Sequence, residues 1–156
     1  MHIRRLFSMA LLTAPAWAMA APLPYNEAAD AKAEIEQALA TAGSTKRNVL
    51  VIFGANWCED CRALDASLKS QKNAELLAKE FVVIKVDVGN FDRNGTLTTQ
   101  YGNPTKKGIP AAIVLAPNNQ TLYATRAGEL SNARRMSESG VYEFFRQAVS
   151  TSKGSK

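Results

Sequence analysis

The amino-acid sequence predicts an α/β fold in which a central mixed four-stranded sheet carries helices on both faces. Four short runs of the chain are rich in β-branched and other apolar residues, as buried strands are. Segments with apolar residues at helical spacing lie before, between and after these runs. A helical segment separates the first two runs, which makes them parallel neighbours, whereas only a turn separates the last two, which form an antiparallel hairpin.

The first half of the domain holds two of these strands and the helices around them. Asn26 is a candidate cap for the first helix, which has one apolar face and is expected to stop before Gly43. Asn73 is a candidate cap for a short helix that continues the one after the first strand. The expected elements are a helix over 26–41, a strand over 48–53, a helix over 58–70 with its continuation over 73–80, and a strand over 81–87.

The second half begins with a polar, turn-rich stretch over 89–108. A hairpin follows, because Pro117-Asn118-Asn119 is a turn signal between two apolar runs. The polar residues 151–156 are expected to form a flexible tail. The expected elements are helical turns near 96–101, strands over 111–115 and 122–125, and a closing helix with Val141, Phe144, Phe145 and Ala148 on its apolar face.

Residues 1–20 have the three-part pattern of a secretory signal peptide. Arg4 and Arg5 make a basic start, an apolar stretch follows, and Ala18-Met19-Ala20 gives small residues at a cleavage spacing. A membrane anchor is the alternative, but the apolar stretch is shorter than the roughly 20 residues that span a bilayer, and Pro15 interrupts it. With cleavage after Ala20 or Ala21, we expect a leader over 1–20, a domain over 21–150 and a tail over 151–156, exported to a bacterial periplasm.

Removal of the leader would take away His2, the only histidine of the chain. The remaining domain would have no Cys-His nucleophile pair, no Ser-His-Asp triad and no Cys/His metal site, and two cysteines alone do not complete a structural zinc site. Its basic charge is mild and its basic runs are short, so we expect no nucleic-acid partner. No glycine-rich dinucleotide motif occurs, so no metal or cofactor is expected beyond the cysteines themselves.

Trp57-Cys58-Glu59-Asp60-Cys61 holds both cysteines of the chain and is its most informative motif. An apolar run over 49–53 precedes it, so the pair follows a buried strand and a short turn and opens a helix. A helix N-terminus supplies unpaired N–H groups and partial positive charge, and both favour a thiolate over a thiol. Since the thiolate is the nucleophile of thiol–disulfide exchange, we predict that this pair is redox-active.

In these features the chain resembles the thioredoxin-like superfamily. The matching parts are the motif from Trp57 to Cys61 after a strand, Gly108-Ile109-Pro110 before the hairpin, and the order of the elements around them. The chain is similar to small secreted thioredoxin-like proteins and to the C-terminal periplasmic domain of transmembrane disulfide reductases, because its polar stretch over 90–107 is longer than in a minimal thioredoxin. The resemblance covers residues 49–149 and implies a thioredoxin-like fold with thiol–disulfide oxidoreductase activity.

The resemblance also implies roles for single residues. It makes Cys58 and Cys61 the catalytic pair and Pro110 a cis-proline, for which a trans proline entering an edge strand is the alternative. Thioredoxins usually place a buried aspartate six residues before the first cysteine, but this chain has Ile52 there, so proton handling must differ. Lys85 is similar to a lysine that flanks the thioredoxin site, and the alternative is a strand residue that extends to water.

The positions of the two cysteines predict an order of reaction. Cys58 at the helix start is expected to be exposed and to attack first, whereas Cys61 is expected to be buried and to resolve the mixed disulfide. Their i, i+3 spacing puts the sulfurs within bonding reach, which predicts a Cys58–Cys61 disulfide. Trp57 forms either the rim that receives substrates or part of the core. The Ile109 backbone, held by Pro110, is expected to pair with an extended substrate segment.

Glu59 and Asp60 bear on the direction of the reaction. Two carboxylates in the first helical turn suit the helix dipole, but they also oppose ionisation of the neighbouring Cys58 thiol. Strong oxidants stabilise their thiolate, and Ile109 resembles the residue that reducing thioredoxins carry before the proline. We therefore predict a reductant or electron relay rather than an oxidase.

Two other functions stay open at this point. One is a non-catalytic binding or chaperone-like module with a structural CxxC disulfide, and the other is copper delivery through the two thiolates. Isomerase activity usually needs a dimer or an added domain, and a monomer is expected here. The predicted partners are protein thiols and disulfides, together with a membrane reductase or a thiol protein as electron donor.

Overall fold

A computed structural model describes residues 22–154. Its sheet has four strands in the order β2-β1-β3-β4, with β2 parallel to β1 and the other neighbours antiparallel. This confirms the predicted mixed sheet. The elements are α1 (Ala31–Thr45), β1 (Asn48–Gly54), α2 (Glu59–Leu68), α3 (Gln71–Glu80), β2 (Phe81–Asp87), α4 (Gly95–Gln100), β3 (Ala111–Leu115), β4 (Thr121–Ala124) and α5 (Glu138–Gly154), with 3₁₀ turns at Pro104–Lys107 and Ala133–Arg135.

The central strand β1 is buried on both faces, which is why its sequence is a continuous apolar run without alternation. Val49, Val51 and Phe53 point into a layer shared with α1 and α4. Leu50 and Ile52 point into the opposite layer, which is filled by α2, α3 and α5. The two cysteines belong to the first layer, so α2 contributes its first turn to one core and the rest of its apolar face to the other.

Helix α1 begins and ends later than the sequence predicted. The cap is Asp30 rather than Asn26, because the Asp30 carboxylate accepts a hydrogen bond of 3.1 Å from Ala33 N, whereas the Asn26 side chain accepts from Ala28 N in a preceding turn. The expected stop at Gly43 was also wrong. The helix continues to Thr45 and ends where Lys46 takes the left-handed conformation.

Asn73 joins two helices instead of capping one. Helix α3 begins after Ser70, and Asn73 is buried within its first turn. Its amide donates to Ser67 O at 2.9 Å and to Glu138 O at 3.3 Å, so it fixes α3 to the end of α2 and to the start of α5. A short polar side chain at this position therefore serves tertiary packing, which a local capping pattern does not reveal.

The chain end differs from the expected flexible tail. Helix α5 runs to Gly154, and Ser152 is fully buried. The Asn48 amide donates to Ser152 Oγ at 3.5 Å, and Lys153 Nζ lies 2.9 Å from a carboxylate oxygen of Glu80. Two polar residues of this segment, Ser152 and Lys153, therefore have polar partners elsewhere in the chain.

The predicted leader over residues 1–20 lies outside the described residues. Within residues 22–154, no helix has the length and apolar character that crossing a membrane requires.

Candidate active site

The two cysteines form a disulfide at the start of α2. Cys58 is the N-cap residue of this helix, with extended backbone angles, and its Sγ accepts a hydrogen bond of 3.2 Å from Cys61 N. The Cα atoms of the pair are 5.2 Å apart, within the usual range for a disulfide. A sulfur thus occupies the place that a serine or aspartate oxygen usually takes at a helix N-terminus, where partial positive charge favours an anion.

Cys58 is more covered than the sequence predicted. It is 6% exposed, and Cys61 is 1% exposed, so Cys58 is the outer of the two but not an exposed residue. The cover comes partly from the loop before β3, since the Ile109 carbonyl oxygen lies 3.7 Å from Cys58 Sγ. The Ile109–Pro110 peptide bond is cis, as the resemblance implied. The Ile109–Pro110 loop therefore reaches the sulfur pair through the Ile109 carbonyl.

Trp57 lies at the surface, so its alternative placement in the core was wrong. Its side chain is 54% exposed, and its indole N–H donates to Gly89 O at 2.9 Å. The exposed ring of Phe91 packs edge-on against it with ring centroids 6.2 Å apart. Phe91 has a positive φ of 65°, an uncommon conformation for an aromatic residue. Its only sequence signal was an aromatic residue in a polar stretch.

Arg134 was not expected at this site. Its guanidinium lies 2.6 Å from a Glu59 carboxylate oxygen, and its backbone N–H donates to Asp60 Oδ1 at 3.0 Å. The motif carboxylates are therefore partly neutralised by a cation from the loop between β4 and α5. The Glu59 pair is exposed, so it contributes little to stability, but it weakens the repulsion that the two carboxylates exert on a Cys58 thiolate.

Lys85 pairs with a carboxylate instead of extending freely to water. It lies on β2 opposite Ile52, and its Nζ binds Asp65 Oδ1. Lys69 Nζ contacts the other carboxylate oxygen at 2.7 Å. Burial alone would raise the pKa of Asp65, but the hydrogen bonds from Lys69 and Lys85 outweigh it, so this pKa is lowered. Asp65 follows Cys61 by one helical turn, which places this buried carboxylate on the active helix itself.

The described part of the chain contains no group of three or more His, Cys, Asp or Glu residues placed to hold a metal ion. The redox group of this site is the Cys58–Cys61 disulfide. A cysteine pair joined at a helix N-terminus on this mixed sheet defines a thiol–disulfide oxidoreductase.

Comparisons with known proteins identify the family. A family model described as thioredoxin-like matches residues 30–117, more than half of the chain, so this protein belongs to the thioredoxin-like family. A thioredoxin from Buchnera aphidicola subsp. Baizongia pistaciae is 32% identical over 94 residues, which cover 58% of this chain and 73% of that protein.

Two solved structures are also similar. A disulphide isomerase from Xylella fastidiosa Temecula1 shares 52% identity with a TM-score of 0.80, over 82% of this chain and 98% of that one. The oxidised C-terminal domain of DsbD from Neisseria meningitidis is 18% identical with a TM-score of 0.54, over 75% of this chain and 95% of that domain, and it shows a shared fold alone.

Replacing Arg134 should raise the pKa of Cys58. In a Cys61→Ser background, Arg134→Met leaves Glu59 and Asp60 without their cation, so the Cys58 thiolate is less favoured. A rise of about half a pKa unit is expected for such a partly screened charge. Thiolate absorbance during a pH titration measures it. Arg146→Met, which removes an exposed ion pair from α5, is the matched control. An unchanged or lower Cys58 pKa in Arg134→Met would contradict this account.

Asp65→Asn should lower the free energy of unfolding by about 1.5 to 3 kcal/mol at pH 7, the size of hydrogen bonds to a charged group. Because folding lowers the pKa of Asp65, this contribution is full above the unfolded pKa near 4 and is lost as the pH falls through the lower, folded value. Urea denaturation between pH 7 and pH 3 should show the two proteins converging. Glu36→Gln, at the exposed pair with Lys32, should change stability by less than about 0.5 kcal/mol. A constant deficit in Asp65→Asn at every pH would point to packing instead.

Proposed function

We propose that this protein is an exported thiol–disulfide oxidoreductase of a bacterial periplasm, acting as a reductant or electron relay rather than as an oxidase. The observation that carries the proposal is the Cys58–Cys61 disulfide at the N-terminus of α2, faced by the Ile109–Pro110 loop. Cys58 and Cys61 are its catalytic residues. Trp57, Ile109 and Pro110 form the substrate-binding surface around them.

The reaction begins with the reduced pair. The Cys58 thiolate attacks one sulfur of a client disulfide, a mixed disulfide forms, and the other client sulfur leaves as a thiolate. The Cys61 thiolate then attacks the Cys58 sulfur, which restores the internal disulfide and releases the second client thiolate. Two electrons pass to the client. A membrane reductase or a thiol protein returns the pair to the dithiol state by the same exchange in reverse.

The direction is inferred from the charges around Cys58. The partners of its Sγ in the described structure are the Cys61 N–H and the Ile109 carbonyl, and neither is a cation. Glu59 and Asp60 lie in the adjacent helical turn, and the exposed Arg134 offsets them only in part. Because no cation within residues 22–154 contacts the Cys58 sulfur, its thiolate is not strongly stabilised. The disulfide form is therefore favoured more than in a strong oxidant. Ile109 before the proline supports the same direction by its resemblance to reducing thioredoxins.

Export is supported by the leader pattern of residues 1–20. The mature domain would begin at residue 21 and act as a monomer on protein thiols and disulfides. Glu59, Asp60 and Lys85 would tune the site, the first two beside Cys58 and Lys85 through Asp65. Fusion of residues 1–21 to a reporter enzyme that is active only after export tests the leader by itself.

Disulfide isomerisation is the second candidate. It is favoured by the 52% identity to the Xylella protein described as a disulphide isomerase. Both functions use the same first attack by Cys58. They differ in the later steps, because an isomerase returns the client with a rearranged disulfide and a reductant leaves it as a dithiol.

The roles of the two cysteines predict that only one of the two single-cysteine variants accumulates a mixed disulfide. Cys61→Ala, reduced and mixed with an oxidised client such as insulin, should accumulate a mixed disulfide through Cys58, because the resolving sulfur is missing. Cys58→Ala should form about tenfold less adduct or none, since Cys61 is almost fully buried. Mass spectrometry under non-reducing conditions counts the adducts. The absence of any adduct with Cys61→Ala would favour a non-catalytic module with a structural disulfide.

The proposed role as a reductant predicts a low reduction potential for the cysteine pair. Equilibration of the Cys58–Cys61 pair with glutathione should give a value closer to that of thioredoxin, about −270 mV, than to that of strong periplasmic oxidants, about −120 mV. The reduced protein should cleave insulin disulfides but should not reactivate scrambled ribonuclease. Efficient reactivation would favour the isomerase, and a potential near that of the strong oxidants would contradict the proposed direction.

A further inference from the structure

Tyr25 lies beside the active cysteines although the sequence gives it no part in the motif. It precedes α1, yet it is only 4% exposed and packs in the same apolar layer as Cys58 and Cys61. A buried tyrosine brings a polar hydroxyl into a core, where such a group usually needs a partner. The Cys61 sulfur borders the same space as this hydroxyl.

Gly54 provides the space that brings the hydroxyl and the inner sulfur together. A Cβ atom placed on Gly54 would collide with the Tyr25 hydroxyl and would lie 3.0 Å from Cys61 Sγ. Tyr25 Oη and Cys61 Sγ therefore border the same small space at the end of β1. The backbone of Gly54 is ordinary strand, so the glycine is needed here for close approach and not for an unusual conformation.

The motif loop itself holds Tyr25 in place. The Asn56 side chain accepts a hydrogen bond of 3.0 Å from Tyr25 N and donates one of 2.9 Å to Tyr25 O. Asn56 directly precedes Trp57, and its own carbonyl accepts a bond of 2.7 Å from Arg62 on α2. The tyrosine and the cysteine pair are thus fixed to the same short segment.

The charges around this space make a neutral donor useful. The negative charges of Asp65 on α2 and Asp87 on β2 disfavour ionisation of Tyr25. They also oppose a negative charge on other nearby groups. Their cations are engaged with them, Lys69 and Lys85 with Asp65 and Arg93 with Asp87 at 3.2 Å. Burial, and then these two carboxylates, raise the pKa of Tyr25, so its hydroxyl keeps its proton throughout the physiological range.

We propose that the Tyr25 hydroxyl donates a hydrogen bond to the Cys61 sulfur once the disulfide is open, and so stabilises the thiolate that resolves the mixed disulfide. Tyr25 acts directly on the reacting sulfur in this step. Its proton stays on the phenol oxygen, the Cys61 sulfur forms its new bond to the Cys58 sulfur, and the client sulfur leaves as a thiolate. The contribution of this step to turnover rests on the proposed function, but the effect on Cys61 is a property of the reduced protein alone.

The test measures the pKa of Cys61 in a Cys58→Ser background, where Cys61 is the remaining thiol. Adding Tyr25→Phe keeps the ring and removes the donor. The Cys61 pKa should rise by about one unit or more, because a hydrogen bond to an ionised group favours the charged form by this amount. Tyr101→Phe is the matched control, since Tyr101 is a buried tyrosine of the same layer whose hydroxyl donates to Asn119 instead. It should leave the Cys61 pKa unchanged.

Replacing Tyr25 by 3-fluorotyrosine provides a second measurement that keeps the fold and the donor. A more acidic phenol donates more strongly, so the Cys61 pKa should fall below that of the parent, which a merely structural role of Tyr25 would not produce. An unchanged Cys61 pKa in both Tyr25 variants overturns the inference. Wild-type insulin reduction is assayed in parallel, so failure of the proposed function appears there and failure of the Tyr25 role appears only in the titration.

Discussion

The hydrogen bond from Cys61 N to the Cys58 sulfur is the interaction around which the site is built. It makes a sulfur the cap of α2, and it places the second cysteine one turn away, where a disulfide can close. Strand β1 is buried on both faces and ends just before this helix. It therefore holds the helix start against the core layer that contains the cysteines. The position of the sulfur pair therefore depends on a strand that is buried over residues 49–54, and such close-packed segments resist displacement.

The second half of the site reaches the cysteines through strand pairing. Phe53 of β1 pairs with Ala111 of β3, which follows Pro110 directly. Because these two strands are antiparallel neighbours, the end of β1 and the start of β3 meet at one edge of the sheet. The Ile109 carbonyl then lies over Cys58. Residues about fifty positions apart in the chain form one site since a single pair of strands brings both segments to the same place.

Three cations near the site bind carboxylates, and the sulfurs have neutral groups around them. Lys85 binds Asp65, Arg93 binds Asp87, and Arg134 binds Glu59. The sulfurs face a backbone N–H and the space bordered by the Tyr25 hydroxyl. Stabilisation of a thiolate by such groups is weaker than by a nearby cation, which agrees with the proposed reducing direction. The site also lacks the aspartate usual in thioredoxins, because Ile52 occupies that position and packs in the core layer opposite the cysteines.

The sequence by itself determined the strands, the mixed sheet and the cysteine pair, because apolar runs, turn residues and the CxxC spacing are local patterns. Helix ends were predicted less well, since Asp30 and Asn26 are equally good caps until the chain is folded. Only the tertiary structure decided that Arg134 pairs with Glu59, that Asn73 and Ser152 have polar partners, and that Tyr25 and Cys61 border one space at Gly54. These contacts join distant segments, and their geometry depends on packing that no local pattern records.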